Sequence, residues 1–308
     1  MADYGKNFVQ LHNHTHYSLL DGASKIPDLA KRAAELEMPA VGITDHGNMH
    51  GAYEMYTNCV ANGVKPIIGI EAYVTPETAR QDKSRVHWGT EAQRRDDVSG
   101  GGLITHLTMW AENDEGLVNL IKASSVANLE GRVMRYPRMD KEVLSTYSKG
   151  VIASSGCPSG IIQTRLRLGQ FDEALRAAGE FQDIFGKDNF FIELMDHGLT
   201  IENQVTDDLL TIAKKLDAPL LATNDSHYVH AEDAGAQDAM LCINSGSRLD
   251  DPDRFKFDGT GYYIKTAEEM RELFKDHPDA CDNTLLIAER CNVMFDDHED
   301  GAFMPQFP

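Results

Sequence analysis

The strongest constraint on this chain is a rhythm in which short apolar, β-branched runs alternate with stretches whose apolar residues recur at helical spacing. FVQLHNHT (8–15) reads as a first strand, and IPDLAKRAAELEM (26–38) as a helix that Pro27 can open. AVGITDH (40–46), KPIIGIEAYVTP (65–76), LITHLTMWAE (103–112), GVIASSGC (150–157), NFFIELMD (189–196) and APLLATNDSHYV (218–229) read as further strands. Helical patterns separate most of them, at 51–63, 114–130, 140–147, 159–186 and 201–217. Continuous apolar strands divided by helices suit a parallel sheet, both of whose faces are covered. The reading is therefore an α/β fold with a closed or nearly closed barrel. A flat doubly wound sheet is the rival, but it usually carries a glycine-rich phosphate loop after its first strand, which this sequence lacks.

Residues 77–101 interrupt the rhythm with a polar, glycine-ended stretch, expected to be a mobile surface insertion. From about Tyr262 the pattern changes to one strand-like YYIK and a helical tail, so a barrel domain is expected over 1–265 and a tail over 266–308. The balance of 29 basic against 49 acidic residues gives a net charge of -20, which argues against a domain that grips a nucleic-acid backbone unaided. A polyanionic substrate would need local positive charge, and bound divalent cations can provide it. The five cysteines are odd in number and widely spaced, which favours free thiols over a disulfide framework. No apolar run approaches the ~20 residues that span a bilayer, and the opening lacks a signal-peptide pattern. A cytoplasmic protein with no membrane partner is expected.

In a β/α barrel the reactive groups gather where strands end on one rim. Metal-binding side chains fall at such places repeatedly. His12 and His14 end the first run, with Asp21 in the loop beyond; Asp45 and His46 end the second; Glu71 lies in the third, His106 in the fourth, Cys157 in the fifth, and Asp225 and His227 in the seventh. Each has a bland explanation when taken alone: a strand histidine is often a hydrogen-bonded core residue, and a lone cysteine a small buried one. Glu71 is harder to explain this way, because a carboxylate among strand apolars is costly to bury without a cation or donors. His12 and His14, two residues apart, share one strand face and can converge on one ion. Together these residues point to a metal centre. His16, His50, His87, His230, His277 and His298 lie in polar loops or helices and are assigned to solvent, while His197 could either brace the fold or contact the site. Imidazoles with one thiolate favour zinc, or manganese or iron with the carboxylates, over magnesium or calcium. The chemistry such a centre suits is phosphate-ester hydrolysis, and no nucleophile-elbow motif competes with it.

LHNHTHYSLLDG, GITDHG, PIIGIEAYV, SSGCPSG, IELMDHG and ATNDSHY resemble the polymerase and histidinol phosphatase (PHP) family, in the form found at the N-terminus of bacterial replicative polymerase alpha subunits. HLTMWAENDEGLVNLIKASSVANLEG is similar to the same group. The resemblance implies a distorted (β/α)7, TIM-like barrel. It places the family's metal ligands on His12, His14, Asp21, His46, Glu71, His106, Cys157, Asp225 and His227, all competent side chains. By resemblance, His12, His14 and Asp225 surround one ion, Glu71 bridges it to a second held by His106 and Cys157, and Asp21, His46 and His227 surround a third. Two or three divalent transition metals (zinc, manganese or iron) are then the expected cofactors, and Asp21, Glu71 and Asp225 the expected catalytic carboxylates. Some members resemble 3′ to 5′ exonucleases that proofread DNA; others, with a decayed ligand set, serve as scaffolds for a separate proofreading subunit; histidinol phosphatases act on a small phosphomonoester. The intact set favours the first. Expected partners are a DNA 3′ end, the remainder of the polymerase alpha subunit and a proofreading subunit. The chain is expected to stop at MPQFP about where the polymerase body begins.

Overall fold

The computed structural model describes residues 7–91 and 101–295, with α1 (Ile26–Glu35), β1 (Ala40–Ile43), α2 (Ala52–Ala61) and β2 (Lys65–Val74) leading the chain. After β3 (Thr105–Ala111) come α3 (Asp114–Glu130), β4 (Arg138–Met139), α4 (Lys141–Thr146), β5 (Val151–Ser154), α5 (Ile161–Arg167) and α6 (Phe171–Phe185). The remaining elements are β6 (Phe190–Leu194), α7 (Thr200–Leu216), β7 (Leu220–Ala222), α8 (Ala234–Ser245), α9 (Ala267–Leu273) and α10 (Pro278–Arg290). The expected helix over 159–186 is two helices, parted where Gly169 adopts a φ of +71°.

Hydrogen bonding runs β1–β2–β3–β5–β6–β7, with the short β4 paired to the end of β2. The segment 8–15 completes the ring: Gln10 bridges Val41 on one side and Asn13 bridges Ser226 on the other. It is not the continuous strand expected, and Asn13 accounts for the break. Its amide donates to the carbonyls of Gln10 and Gly42 at 2.8 and 3.0 Å, and the alternation slips here, so that Leu11 and the next residue, His12, both turn inward.

β3 departs from the expected parallel arrangement, running antiparallel to both β2 and β5. Val74 at the end of β2 pairs with Thr105 at the start of β3, so the chain re-enters the sheet at the rim it has just left. A parallel return would need a crossover to the opposite end, and among the described residues no helix lies between the two strands. His106 is therefore near the beginning of its strand, yet it stands on the same rim as the ends of the others. Residues 77–91 of the polar stretch form no helix or strand but are tied to the body. Arg138, fully buried, donates to the carbonyls of Arg80 and Asp82 at 2.8 and 2.7 Å, and Arg80 pairs with Asp140 at 3.1 Å. Residues 92–100 of that stretch lie outside the described residues.

Inside the ring the base is apolar. Val9, Leu11, Ile67, Trp110, Ile152, Phe191 and Leu221 are buried there with Leu285, Ile287 and Ala288 of α10, whose Thr284 hydroxyl accepts from the Val9 N–H at 3.1 Å. Toward the rim the inward columns turn polar at a step of two residues: Ile67, Gly69, Glu71 and Tyr73 on β2, Trp110, Thr108 and His106 on β3, Phe191 and Glu193 on β6, and Leu221, Thr223 and Asp225 along β7 and beyond. A second apolar layer, including Ile68, Ile70, Leu107, Met109 and Ile192, packs between the sheet and the helices. Among the described residues no helix is long and apolar enough to cross a membrane.

Gly69 is the tightest point of the β2 column, because a Cβ there would sit 2.3 Å from the Met109 carbonyl oxygen and 2.7 Å from the Trp110 ring. Gly69→Ala is accordingly expected to lower stability by ~1–3 kcal/mol through overpacking. A lower urea midpoint at unchanged slope is the predicted result, and an unchanged midpoint would contradict this packing.

Candidate metal centre

The polar ends of the inward columns meet at the rim, and all nine residues named from the sequence as ligands lie in one cluster. His12 Nε2 is 3.3 Å from His14 Nε2, 3.4 Å from Asp225 Oδ1 and 3.5 Å from Glu71 Oε1. His14 Nε2 is 3.0 Å from Asp225 Oδ1 and 3.4 Å from Glu71 Oε2. Ligands placed tetrahedrally ~2.0–2.1 Å from a zinc ion are about 3.3 Å from each other, so these atoms have the spacing of a coordination shell. Glu71 Oε1 is also 3.1 Å from His106 Nδ1, which is 3.4 Å from the Cys157 sulfur. Asp21 Oδ2 is 2.8 Å from His46 Nε2 and 3.8 Å from His227 Nε2. His46 links the last two groups, because its Nδ1 is 2.6 Å from Glu71 Oε2. That link is absent from the grouping implied by the resemblance, which kept His46 with Asp21 and His227.

Some of these atoms are hydrogen-bonded, as His46 Nε2 is to Asp21 Oδ2, but several lie close together with no such bond. Glu71 Oε1 and Oε2, Asp225 Oδ1, Asp21 Oδ1 and His46 Nδ1 are buried with no hydrogen-bond partner. Leaving polar atoms in that condition costs ~1–3 kcal/mol each, and more for charged ones, unless a cation occupies the space between them. The donor set therefore fits divalent ions.

A surrounding layer fixes which ring nitrogen faces the centre. His12 Nδ1–H donates to Glu193 Oε1 at 2.7 Å, leaving Nε2 for the cluster. Glu193 is itself buried and accepts from the Ser154 and Thr223 hydroxyls. The Ser18 hydroxyl donates to Asp45 at 2.6 Å, so it accepts from His14 Nδ1–H at 3.0 Å. His227 Nδ1–H donates to the Asp225 carbonyl at 2.8 Å. In each case Nε2 is left facing the cluster.

Electrostatics follow from burial and from the partners. Burial opposes a charge on His12, but Asp225 and Glu193 outweigh it and hold the imidazole well above its ordinary range. His14 goes the other way: burial, with repulsion from His46 and His227, brings it to about 3, so it is a neutral imidazole. Burial alone would neutralise Glu71, yet His106 and His46 keep its carboxyl well below the usual carboxylate range. Burial, reinforced by Glu71 and Asp225, pushes the Cys157 thiol up, and a divalent cation would reverse that preference in favour of the thiolate.

Asp45, also named at a strand end, is not in the cluster. It accepts from the Thr15 N–H and hydroxyl, both at 2.7 Å, and from Ser18, and so anchors the loop that carries His14. His197 braces the site from behind: its Nε2–H donates to the Asn224 carbonyl at 2.9 Å, and its Nδ1 pairs with Glu202 at 2.7 Å. His16, His50, His87, His230 and His277 lie outside the groups of close ligand atoms, and His298 lies outside the described residues. Sequence reasoning missed Glu193, although FFIELMD shows the signal that exposed Glu71, a carboxylate within an apolar strand. It missed Tyr73 as well, whose ring lies 5.9 Å from that of His46 and 5.4 Å from that of His106.

The chain is 54% identical over 305 residues to the DNA polymerase III subunit alpha of Mycobacterium tuberculosis (strain H37Rv), covering 99% of this chain and 26% of the relative. It is 57% identical over 291 residues to the subunit of that name from Saccharopolyspora erythraea, covering 92% of this chain and 24% of the relative. The chain thus spans about a quarter of the length of these relatives. A solved amidohydrolase structure from Chromobacterium violaceum is 14% identical over 71% of this chain and 87% of its own, with a TM-score of 0.43, too loose a likeness to bear on the fold. The model of the PHP domain matches residues 10–197, which run from the first histidine pair to the end of the sixth predicted strand. The chain belongs to the PHP domain family.

Proposed function

We propose that this chain is a divalent-metal-dependent phosphoesterase that removes nucleotides from a DNA 3′ end, as the proofreading module of a polymerase III alpha subunit. The observation that supports this most is the convergence of a complete ligand set with coordination-shell spacing on one barrel rim. His12, His14, Asp225 and Glu71 would hold one ion, Glu71, His106 and Cys157 a second, and Asp21, His46 and His227 a third. Zinc, manganese or iron bound there would supply Lewis acidity toward a phosphate and lower the pKa of a water. The protein's residues hold the geometry. Glu193 and Ser18 set the tautomers of His12 and His14, and Asp21, Glu71 and Asp225 balance the positive charge. In a chain of net charge -20, the ions also provide the local attraction that a phosphodiester needs. Similarity to polymerase subunits supports DNA as the substrate and the remainder of the alpha subunit as a partner.

Elemental analysis of the purified protein is expected to find two or three transition-metal ions per chain. Stripping them should lower the melting temperature, because ions bound only to the native state stabilise it. Metal-free protein that melts at the same temperature, or metal held only by exposed histidines, would count against the site.

Glu193→Gln keeps the size but removes the charge and replaces one acceptor oxygen with an amide N–H, either Oε1, which serves His12 and Thr223, or Oε2, which serves Ser154. Chelator competition should show metal affinity reduced roughly 10–100-fold. Unchanged affinity would remove Glu193 from the supporting layer.

Asp225→Asn and Asp21→Asn each remove a charge that would hold a cation, without changing shape. Exonuclease rates on a 3′-labelled single strand should fall on the order of 10²-fold or more, with circular dichroism unchanged. Equal rates in all three proteins would end the catalytic reading in favour of a scaffold, and turnover of histidinol phosphate in place of DNA would favour a small-molecule phosphatase.

A further inference from the structure

The metal-centre histidines are the middle of a longer row of rings. Tyr136 lies 5.0 Å from Tyr73 between ring centroids, Tyr73 5.9 Å from His46, His46 4.0 Å from His14, His14 4.4 Å from His227, and His227 4.7 Å from Phe257. Phe255, 6.1 Å beyond Phe257, is 60% exposed. Tyr136 and Phe257 are half-buried, so both ends of the row reach the surface while its middle is buried. Each end also carries a cation: the Arg135 guanidinium lies 5.3 Å from the Tyr136 ring centroid, and Lys256 is exposed between Phe255 and Phe257.

Both ends are held in place. The Arg135 guanidinium donates to Asn244 of α8 at 2.5 Å, and Arg254 pairs with Asp238 of the same helix at 2.5 and 2.6 Å, fixing the start of the Phe255–Phe257 segment. Tyr73 fits beside the centre because Gly47, at φ +65°, has no Cβ; one would lie 2.7 Å from the Tyr73 ring. Exposed rings with adjacent cations are the recurring equipment of single-strand nucleic-acid sites, since every base offers a π-face and every linkage a negative charge. A small phosphomonoester would use neither end. In a chain of net charge -20, basic–aromatic pairs on both sides of the candidate metal centre favour a substrate that extends past it in two directions.

We propose that Tyr136 at one end of the ring row and Phe257 with Phe255 at the other are stacking platforms for unpaired bases flanking the phosphate at the metal centre, so that the site takes the single-stranded end of a nucleic acid. The inference rests on the phosphoesterase reading and names the substrate features that this site recognises.

The test is equilibrium binding to the metal-loaded protein, by fluorescence anisotropy, of a single-stranded oligonucleotide made resistant to cleavage by phosphorothioate linkages at its 3′ end. A second oligonucleotide has the same backbone with its last two nucleotides abasic. Wild type is expected to bind the intact strand about tenfold or more tighter than the abasic one. Tyr136→Ala and Phe257→Ala should each lose affinity for the intact strand and little for the abasic one, at unchanged metal content. Equal wild-type affinity for the two strands would overturn the proposal, and that comparison does not depend on whether any variant folds. Base-dependent binding without hydrolysis of an unmodified strand would uphold the platforms and sink the nuclease reading; hydrolysis with base-independent binding would do the reverse.

Discussion

The structure depends on how a carboxylate is held at the heart of a barrel. Glu71 is fully buried, both its oxygens lack hydrogen bonds, and four histidines approach it within 3.5 Å. A solitary buried carboxylate would take up a proton rather than bear the desolvation. Here the surroundings are arranged for the charged form. His12 and His14 arrive from one side because the chain slips phase between Leu11 and His12, and His106 arrives from the other because β3 runs backward. Asp225 adds a second carboxylate from a residue at φ +45°, a conformation that costs a non-glycine residue about 1 kcal/mol or more and is kept in place by hydrogen bonds on both sides of it. Divalent cations are what such a concentration of unpaired donors can satisfy.

Much of this was legible in the sequence because the strand period is two. An inward column that begins Ile67 and continues to Glu71 declares both its core and its site, and His12 and His14 declare theirs by spacing. The reversed β3 was not legible, since a strand's direction depends on where the preceding loop delivers the chain, and an irregular polar stretch carries no such signal. His106 was named for the wrong reason: it reaches the rim from the beginning of its strand. Glu193 was overlooked because its partner, His12, lies 181 positions away. The ring row is likewise a product of tertiary structure, since Tyr136 and Phe257 come from irregular segments with no periodicity.

Stability and chemistry draw on different parts of the same columns. Toward the base, Trp110, Phe191 and Leu221 pack with α10 and owe nothing to ions. Two residues up, Thr108, Glu193 and Thr223 form a hydrogen-bonded layer around His12, and one step further the candidate ligands begin. This grading gives the rim a rigid floor, which lets like charges be held close without the fold relaxing away from them.

In the function proposed above, Glu71 would bridge several ions held in the cluster. Electron paramagnetic resonance of protein stripped and reloaded with manganese tests it most directly. A spin-coupled signal from ions a few ångströms apart is expected, converted by Glu71→Gln to that of isolated ions or lost with the metal. A loaded wild-type protein showing only isolated manganese, unaffected by that substitution, would contradict it.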